Sequence, residues 1–247
     1  MVAGPIEIQP AQLHERYRSE SSALGFRSMH DVLAELYPPL GLAVTAGDLT
    51  LRLLRDSDLP AYAELISSRL FADKDAPYVF AWWDRDPEAR RLDSLQFVWT
   101  QRARIRPEEW KLQFGVFEGD RLVGFQDLDA RDFENRRVVS SGSYLRLDVQ
   151  GRGIGTLMRQ MILVLAFDHL GALRAESSAG VDNKASLAVS RHCGYRLDGT
   201  QVEMNGAQRI ELQRVAVTPR EFVRPTATVV VSGLTPDLCR QLAVETA

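Results

Sequence analysis

The chain has 247 residues, 45% of them hydrophobic and 26% charged, with a formal net charge of −3. That composition belongs to a soluble globular protein of one domain with appendages or two small domains. The net charge offers no overall attraction to nucleic acid or an anionic membrane. With two cysteines, Cys193 and Cys239, a disulfide framework is excluded. No run of about 18 apolar residues offers a membrane span, and the opening MVAGPIEIQPAQLHERYR lacks the basic-then-apolar order of a secretory signal, so a reducing cytoplasm is the expected compartment.

In chain order, residues 13–36 mix polar and apolar side chains at helical spacing and stop at Pro38-Pro39, predicting one or two helices. In DLTLRLLRD (48–56), Leu49, Leu51 and Leu53 alternate with polar residues, as in a half-buried strand. Asp56 or Ser57 is placed to cap a helix through DLPAYAELISSRLF, with Pro60 in its first turn. A loop carrying Tyr78, Trp82 and Trp83 follows, then a helix from Pro87 to about Arg104. The aromatics are candidates for an acceptor pocket or for packing. KLQFGVFEGDRLVGFQDLDA reads as a hairpin around Glu118-Gly119-Asp120, and RVVSSGSYLRLDV as a further strand. Ile154, Leu157, Met158, Met161, Ile162 and Leu165 predict a packed helix ending at Gly171. ALRAESSA reads as a strand, KASLAVSRH as a helix capped by Asp182 or Asn183, and residues 195–217 as a hairpin around Asn205-Gly206. The tail adds a strand and a short helix. The parts are an N-terminal helical extension (1–45), one mixed α/β domain (46–218) and a strand-helix appendage (219–247).

Three alternating glycines stand between a strand and the packed helix, in Gln150-Gly151-Arg152-Gly153-Ile154-Gly155. Glycine there suggests close approach to the backbone, and a helix N-terminus suits a phosphate. No nucleoside-triphosphate loop G-x-x-x-x-G-K-[ST] occurs. A dinucleotide fingerprint would need glycine at 156 or 158, where Thr156 and Met158 stand. What remains is Q-x-x-G-x-G, a loop able to wrap a diphosphate with successive amides, or else a turn without a ligand. His14, His30, His169 and His192 show no metal-ligand spacing with the cysteines, so no metal site is expected.

DNKASLAVSRHCGY (182–195) follows that loop after one helix and one strand, and RLVGFQDL precedes it. On these segments, from about Leu49 to Val217, the chain resembles the GCN5-related N-acetyltransferase (GNAT) family. It looks most like the branch named for ribosomal-protein and peptide N-terminal acetyltransferases. The resemblance does not extend to the two extensions. It implies a mostly antiparallel twisted sheet, flanked by helices and splayed at a cofactor cleft between SYLRLDV and ALRAESS. Acetyl-CoA would be the co-substrate, its pantetheine arm pairing with unpaired strand amides. Its pyrophosphate would lie on the amides of Gly151, Arg152, Gly153, Ile154, Gly155 and Thr156, after Gln150. Arg152 is either a charge-assisted contact or a solvated side chain. A backbone N–H at Leu145 to Leu147 would polarise the thioester carbonyl.

The family's usual tyrosine, seven residues after the helix asparagine, is Ser190 here. The branch's serine, three residues after it, is Ser186. The resemblance therefore implies Ser186 as proton donor to the leaving thiol and Asn183 as a contact to the cofactor or a water. Candidate bases are Glu176 and Asp127, with Asp129 on the same strand face and Glu134 in a loop nearby. The implied activity is direct acetyl transfer to a primary amine: a protein N-terminus, an amino acid or a small-molecule amine. The alternatives are another acyl or aminoacyl donor, such as an aminoacyl-tRNA, and a non-catalytic CoA-binding module. The N-terminal extension is read as covering the cleft or joining a homodimer.

Overall fold

The computed structural model describes residues 29–70, 85–205 and 208–245. Tyr78, Trp82 and Trp83, and the helix expected before residue 29, lie outside the described residues. The described elements are α1 (Met29–Leu36), β1 (Ala43–Ala46), β2 (Leu49–Leu53), α2 (Leu59–Ser67), α3 (Pro87–Arg102), β3 (Glu109–Glu118), β4 (Arg121–Arg131), β5 (Val138–Ser140) and β6 (Ser143–Leu145). They continue with α4 (Ile154–Val164), β7 (Arg174–Gly180), α5 (Lys184–His192), β8 (Arg196–Asn205), β9 (Gln208–Val217), β10 (Val230–Ser232) and α6 (Pro236–Gln241). No helix among the described residues is long and apolar enough to cross a membrane.

The strands form one sheet in the order β10-β1-β2-β3-β4-β5-β7-β9-β8, with β6 also on β4. Every pairing is antiparallel except β5 with β7. Two-residue alternation sorts the sheet's faces. Trp110, Leu112, Phe114 and Val116 of β3 join Leu128 of β4 and Met161 and Ile162 of α4 in the larger core. On the opposite face Phe117, Phe125 and Tyr144 pack against Tyr62 and Leu65 of α2. The described part of the appendage, 219–245, feeds the larger core through Leu238, Cys239 and Leu242, and its strand β10 pairs with β1.

The expected single strand RVVSSGSYLRLDV is divided. β5 meets β4 at Asp129↔Ser140 and runs parallel to β7 from Val138↔Arg174 to Ser140↔Glu176. The chain then turns through Ser141 and Gly142, and β6 rejoins β4 at Gln126↔Ser143. Asp127 fixes the turn: its N–H donates to Gly142 O at 2.9 Å, and its carboxylate accepts from the Gly142 amide. Residues 147–149 form a 3-10 turn instead of strand. The cap expected at Asp56 or Ser57 is also displaced, because a 3-10 turn occupies residues 56–58. There Asp58 receives the Arg55 amide at 2.7 Å and the Arg52 guanidinium at 2.6 Å.

Candidate active site: a cleft between diverging strands

The division of β5 from β6 creates the site. β5 and β7 stay joined as far as Ser141 N–H to Glu176 O at 3.1 Å, and Ser177 Oγ–H donates to Ser141 O at 2.8 Å. Beyond that point β6 follows β4 while β7 follows β9, so the facing edges of residues 143–145 and 177–180 carry no strand pairing. A cleft of about 1090 Å³ opens there. Its walls include Ser143, Ser177, Asn183 and Ser186 as well as Lys111, Asp127 and Glu176.

The glycine loop forms the mouth of α4. Gly151 and Gly153 have φ of +74° and +83°, the left-handed region that disfavours any side chain. Thr156 and Leu157 both donate their N–H to Gly153 O at 3.1 Å. Among the described residues, the amides of Gly151, Arg152, Gly153, Ile154 and Gly155 have no backbone acceptor. Open amides at a helix N-terminus suit a diphosphate in both geometry and charge. The side chains beside them are committed elsewhere. Arg152 is held by Glu118 at 2.6 and 3.2 Å. Gln150 uses its amide as a brace, donating to Leu70 O at 2.9 Å and Leu145 O at 3.0 Å. Leu145 is buried in the larger core, and Leu147 begins the 3-10 turn that Gln150 N–H closes at 3.3 Å.

On α5, Asn183 is the cap, its Oδ1 accepting from Ser186 N–H at 3.1 Å. Ser190 is buried, with its Oγ–H on Ser186 O at 3.1 Å. The Ser186 hydroxyl lines the cleft and bonds to no described residue.

The candidate bases occupy the sheet face turned away from α4. The register Lys111↔Asp129↔Ser140↔Glu176 runs straight across it. Lys111 Nζ donates to Asp129 at 2.7 Å and to Asp127 at 3.1 Å. Burial works against the Lys111 cation, but the two carboxylates outweigh it and hold its pKa above the usual lysine range. Burial raises that of Asp129 despite the lysine. Asp127 has both oxygens engaged, by Lys111 and by the Gly142 amide. Glu176 accepts from Arg174 Nε at 2.7 Å on Oε1, and its Oε2 has no partner among the described residues. Glu134 is exposed and does not line the cleft.

Two lining residues escaped sequence reasoning. Lys111 is one polar position in an alternating strand, and only cross-strand register reveals its two carboxylates. Arg159 lies within a helix whose other side is apolar, where a charge reads as a solvated face. It is instead 3% exposed.

Residues 48–196 match the family model described as an acetyltransferase (GNAT) domain. Among solved structures, the fold is similar to RimJ of Mycobacterium smegmatis in complex with CoA-disulfide. That likeness has a TM-score of 0.63 and 21% identity over 74% of this chain and 90% of that one. RimL, a ribosomal L7/L12 α-N-protein acetyltransferase, in complex with coenzyme A, gives 0.56 and 20% over 69% and 94%. The spermidine N-acetyltransferase of Vibrio cholerae, with CoA and spermine, gives 0.55 and 18% over 71% and 98%.

Proposed function

Because the chain belongs to the GNAT acetyltransferase family, we propose that it transfers an acetyl group from acetyl-CoA directly to a primary amine. The observation that carries this reading is the coincidence of unpaired edges on β6 and β7 at the cleft with open amides in the glycine loop that follows β6. That loop itself lines no part of the cleft. The loop amides would hold the diphosphate, and the free edges of β6 and β7 would take the pantetheine amides as an added strand does. Ser186, with its hydroxyl unspent, would give a proton to the leaving sulfur. Asn183 would act by fixing the start of α5, through the bond that already caps it.

The amine would enter from the sheet face that bears Lys111, Asp127, Asp129 and Glu176. Glu176 is the stronger base candidate, since it keeps one oxygen free while Asp127 spends both on neighbours. RimL is a ribosomal-protein α-N-acetyltransferase, and the Vibrio cholerae protein is a spermidine N-acetyltransferase. Peptide N-termini and polyamines are therefore the first acceptor classes to try. Purified protein is titrated calorimetrically with CoA and acetyl-CoA, then assayed for thiol release against a panel of amines. Micromolar binding with amine-dependent release is expected; absence of binding at millimolar cofactor would remove the proposal.

A further inference from the structure

Arg159 sits on α4 one turn beyond Gly155, and its side chain lies at the apex where β5 gives way to β6. It is 3% exposed, and Nη2 donates to Ser143 Oγ at 3.2 Å. Among the described residues, Nε and Nη1 are buried with no partner in strict hydrogen-bond geometry, and no carboxylate pairs with this guanidinium. Its carbon lies 5.8 Å from the centroid of the Tyr195 ring. Tyr195 Oη and Ser141 Oγ are buried beside it, with Oη within reach of both Ser141 and the guanidinium but without strict hydrogen-bond geometry to any described residue. A buried guanidinium keeps its charge and costs several kcal/mol unless an anion meets it. Arg159 and three hydroxyls thus line one spot with nothing negative among them.

The side of the sheet decides which reactant can reach it. Ser143 and Leu145 share the face that packs on α4, whereas Tyr144 faces α2. Arg159 is therefore on the donor side, across the sheet from Lys111, Asp127, Asp129 and Glu176. Asp127, Asp129 and Glu176 on the acceptor side are paired with Lys111 or Arg174, so it is the face on which Arg159 lies that favours a group carried by the donor.

We infer that the apex is a pocket for an acyl group ending in a carboxylate, so that a short dicarboxylic acid joined to CoA through one carboxyl is preferred over acetyl. This rests on the CoA-dependent reading above. The transfer itself is unchanged. The amine nitrogen bonds to the thioester carbon, the C–S bond breaks with its electron pair on sulfur, the nitrogen loses a proton to the base, and sulfur gains one. The distal carboxylate stays intact, held by the Arg159 fork.

The test titrates the full chain with CoA, acetyl-CoA and succinyl-CoA, in the wild type and in Arg159→Met and Arg159→Lys, with thermal melts as the folding control. Wild type should bind succinyl-CoA at least about tenfold more tightly than acetyl-CoA, as a charge-assisted pair implies. Arg159→Met should erase that ratio while acetyl-CoA binding stays within about threefold, because a buried ion replaced by an apolar side chain of similar size is commonly tolerated. Arg159→Lys should keep part of the ratio. Equal wild-type affinities, or a preference that survives Arg159→Met, would overturn the inference while leaving acetyl-CoA binding and the family reading intact. Failure of all three ligands to bind wild type would overturn both. The wild-type ratio needs no variant, so misfolding of a mutant cannot shield the idea.

Discussion

Gly153 offers a direct test of the diphosphate cradle because a side chain there can be added without a clash. Its φ is +83°, and a Cβ placed on it meets nothing within 4 Å. Gly153→Ala therefore carries only the left-handed backbone penalty, about 1–2 kcal/mol. At roughly 2–4 °C per kcal/mol for a chain of this size, the midpoint of thermal unfolding should fall by about 2–8 °C. Gly153→Glu carries the same backbone penalty and adds a carboxylate among the open amides. If a diphosphate lies there, a like charge about 5 Å away at an effective dielectric near 20 costs on the order of 3 kcal/mol per charge before screening. The two variants should thus melt within about 2 °C of each other, while the Glu variant binds CoA at least about tenfold more weakly than the Ala variant. Calorimetric titration at two salt concentrations reads this, and added salt should narrow the difference. Equal CoA affinities for the two variants would refute a diphosphate at this loop.

Four other variants have expected outcomes. Ser186→Ala should leave the melting midpoint in place, since its hydroxyl bonds to no described residue, and lower kcat at least about tenfold; unchanged turnover at saturating substrates would end its assignment as proton donor. Glu176→Gln should lower kcat about 100-fold with acetyl-CoA affinity retained. Asp127→Asn should instead lower the melting midpoint, and a rate loss at wild-type stability would reverse those two roles. For Asp58, burial raises the pKa, but hydrogen bonds from Arg52 and the Arg55 amide, with the nearby positive charges, bring it net below the usual carboxylate range. Its stabilisation is then present above the unfolded value near about 3.9 and is lost as pH falls through the lower folded one. Asp58→Asn should cost about 1–3 kcal/mol at pH 7. Denaturant titrations should show the gap narrowing below about pH 4, and a gap equally wide at pH 3 would contradict the assignment.

What could be read from the chain was local. The glycine loop, the helix after it and the Asn183 cap each follow from residues within a few positions of one another. The hairpin of β3 and β4 likewise announces itself by alternation and a Gly-containing turn. What escaped depends on partners far away in sequence. VVSSGSYL has the composition of one strand, and only the choice of β7 for one half and β4 for the other divides it. Lys111 acquires meaning through register with Asp129, and Gln150 through the carbonyls of Leu70 and Leu145. Arg159 was hidden because helical spacing assigns a charge to the solvent side, whereas here both sides of the helix are covered near the apex.

The bond from the Trp110 indole to the Leu242 carbonyl, 2.9 Å long, spans 132 positions of the chain. With the β1–β10 pairing, it ties the far border of the sheet to the end of the described chain. The cleft is lined by residues from Lys111 to Arg214, so none of its walls comes from residues 230–242. Contacts this distant in sequence form slowly, after the nearer ones. Closure of the far border is therefore expected as a late step that leaves the cleft's walls unchanged. Trp110, 1% exposed, would report on that border by its fluorescence once the chain's other three tryptophans are replaced.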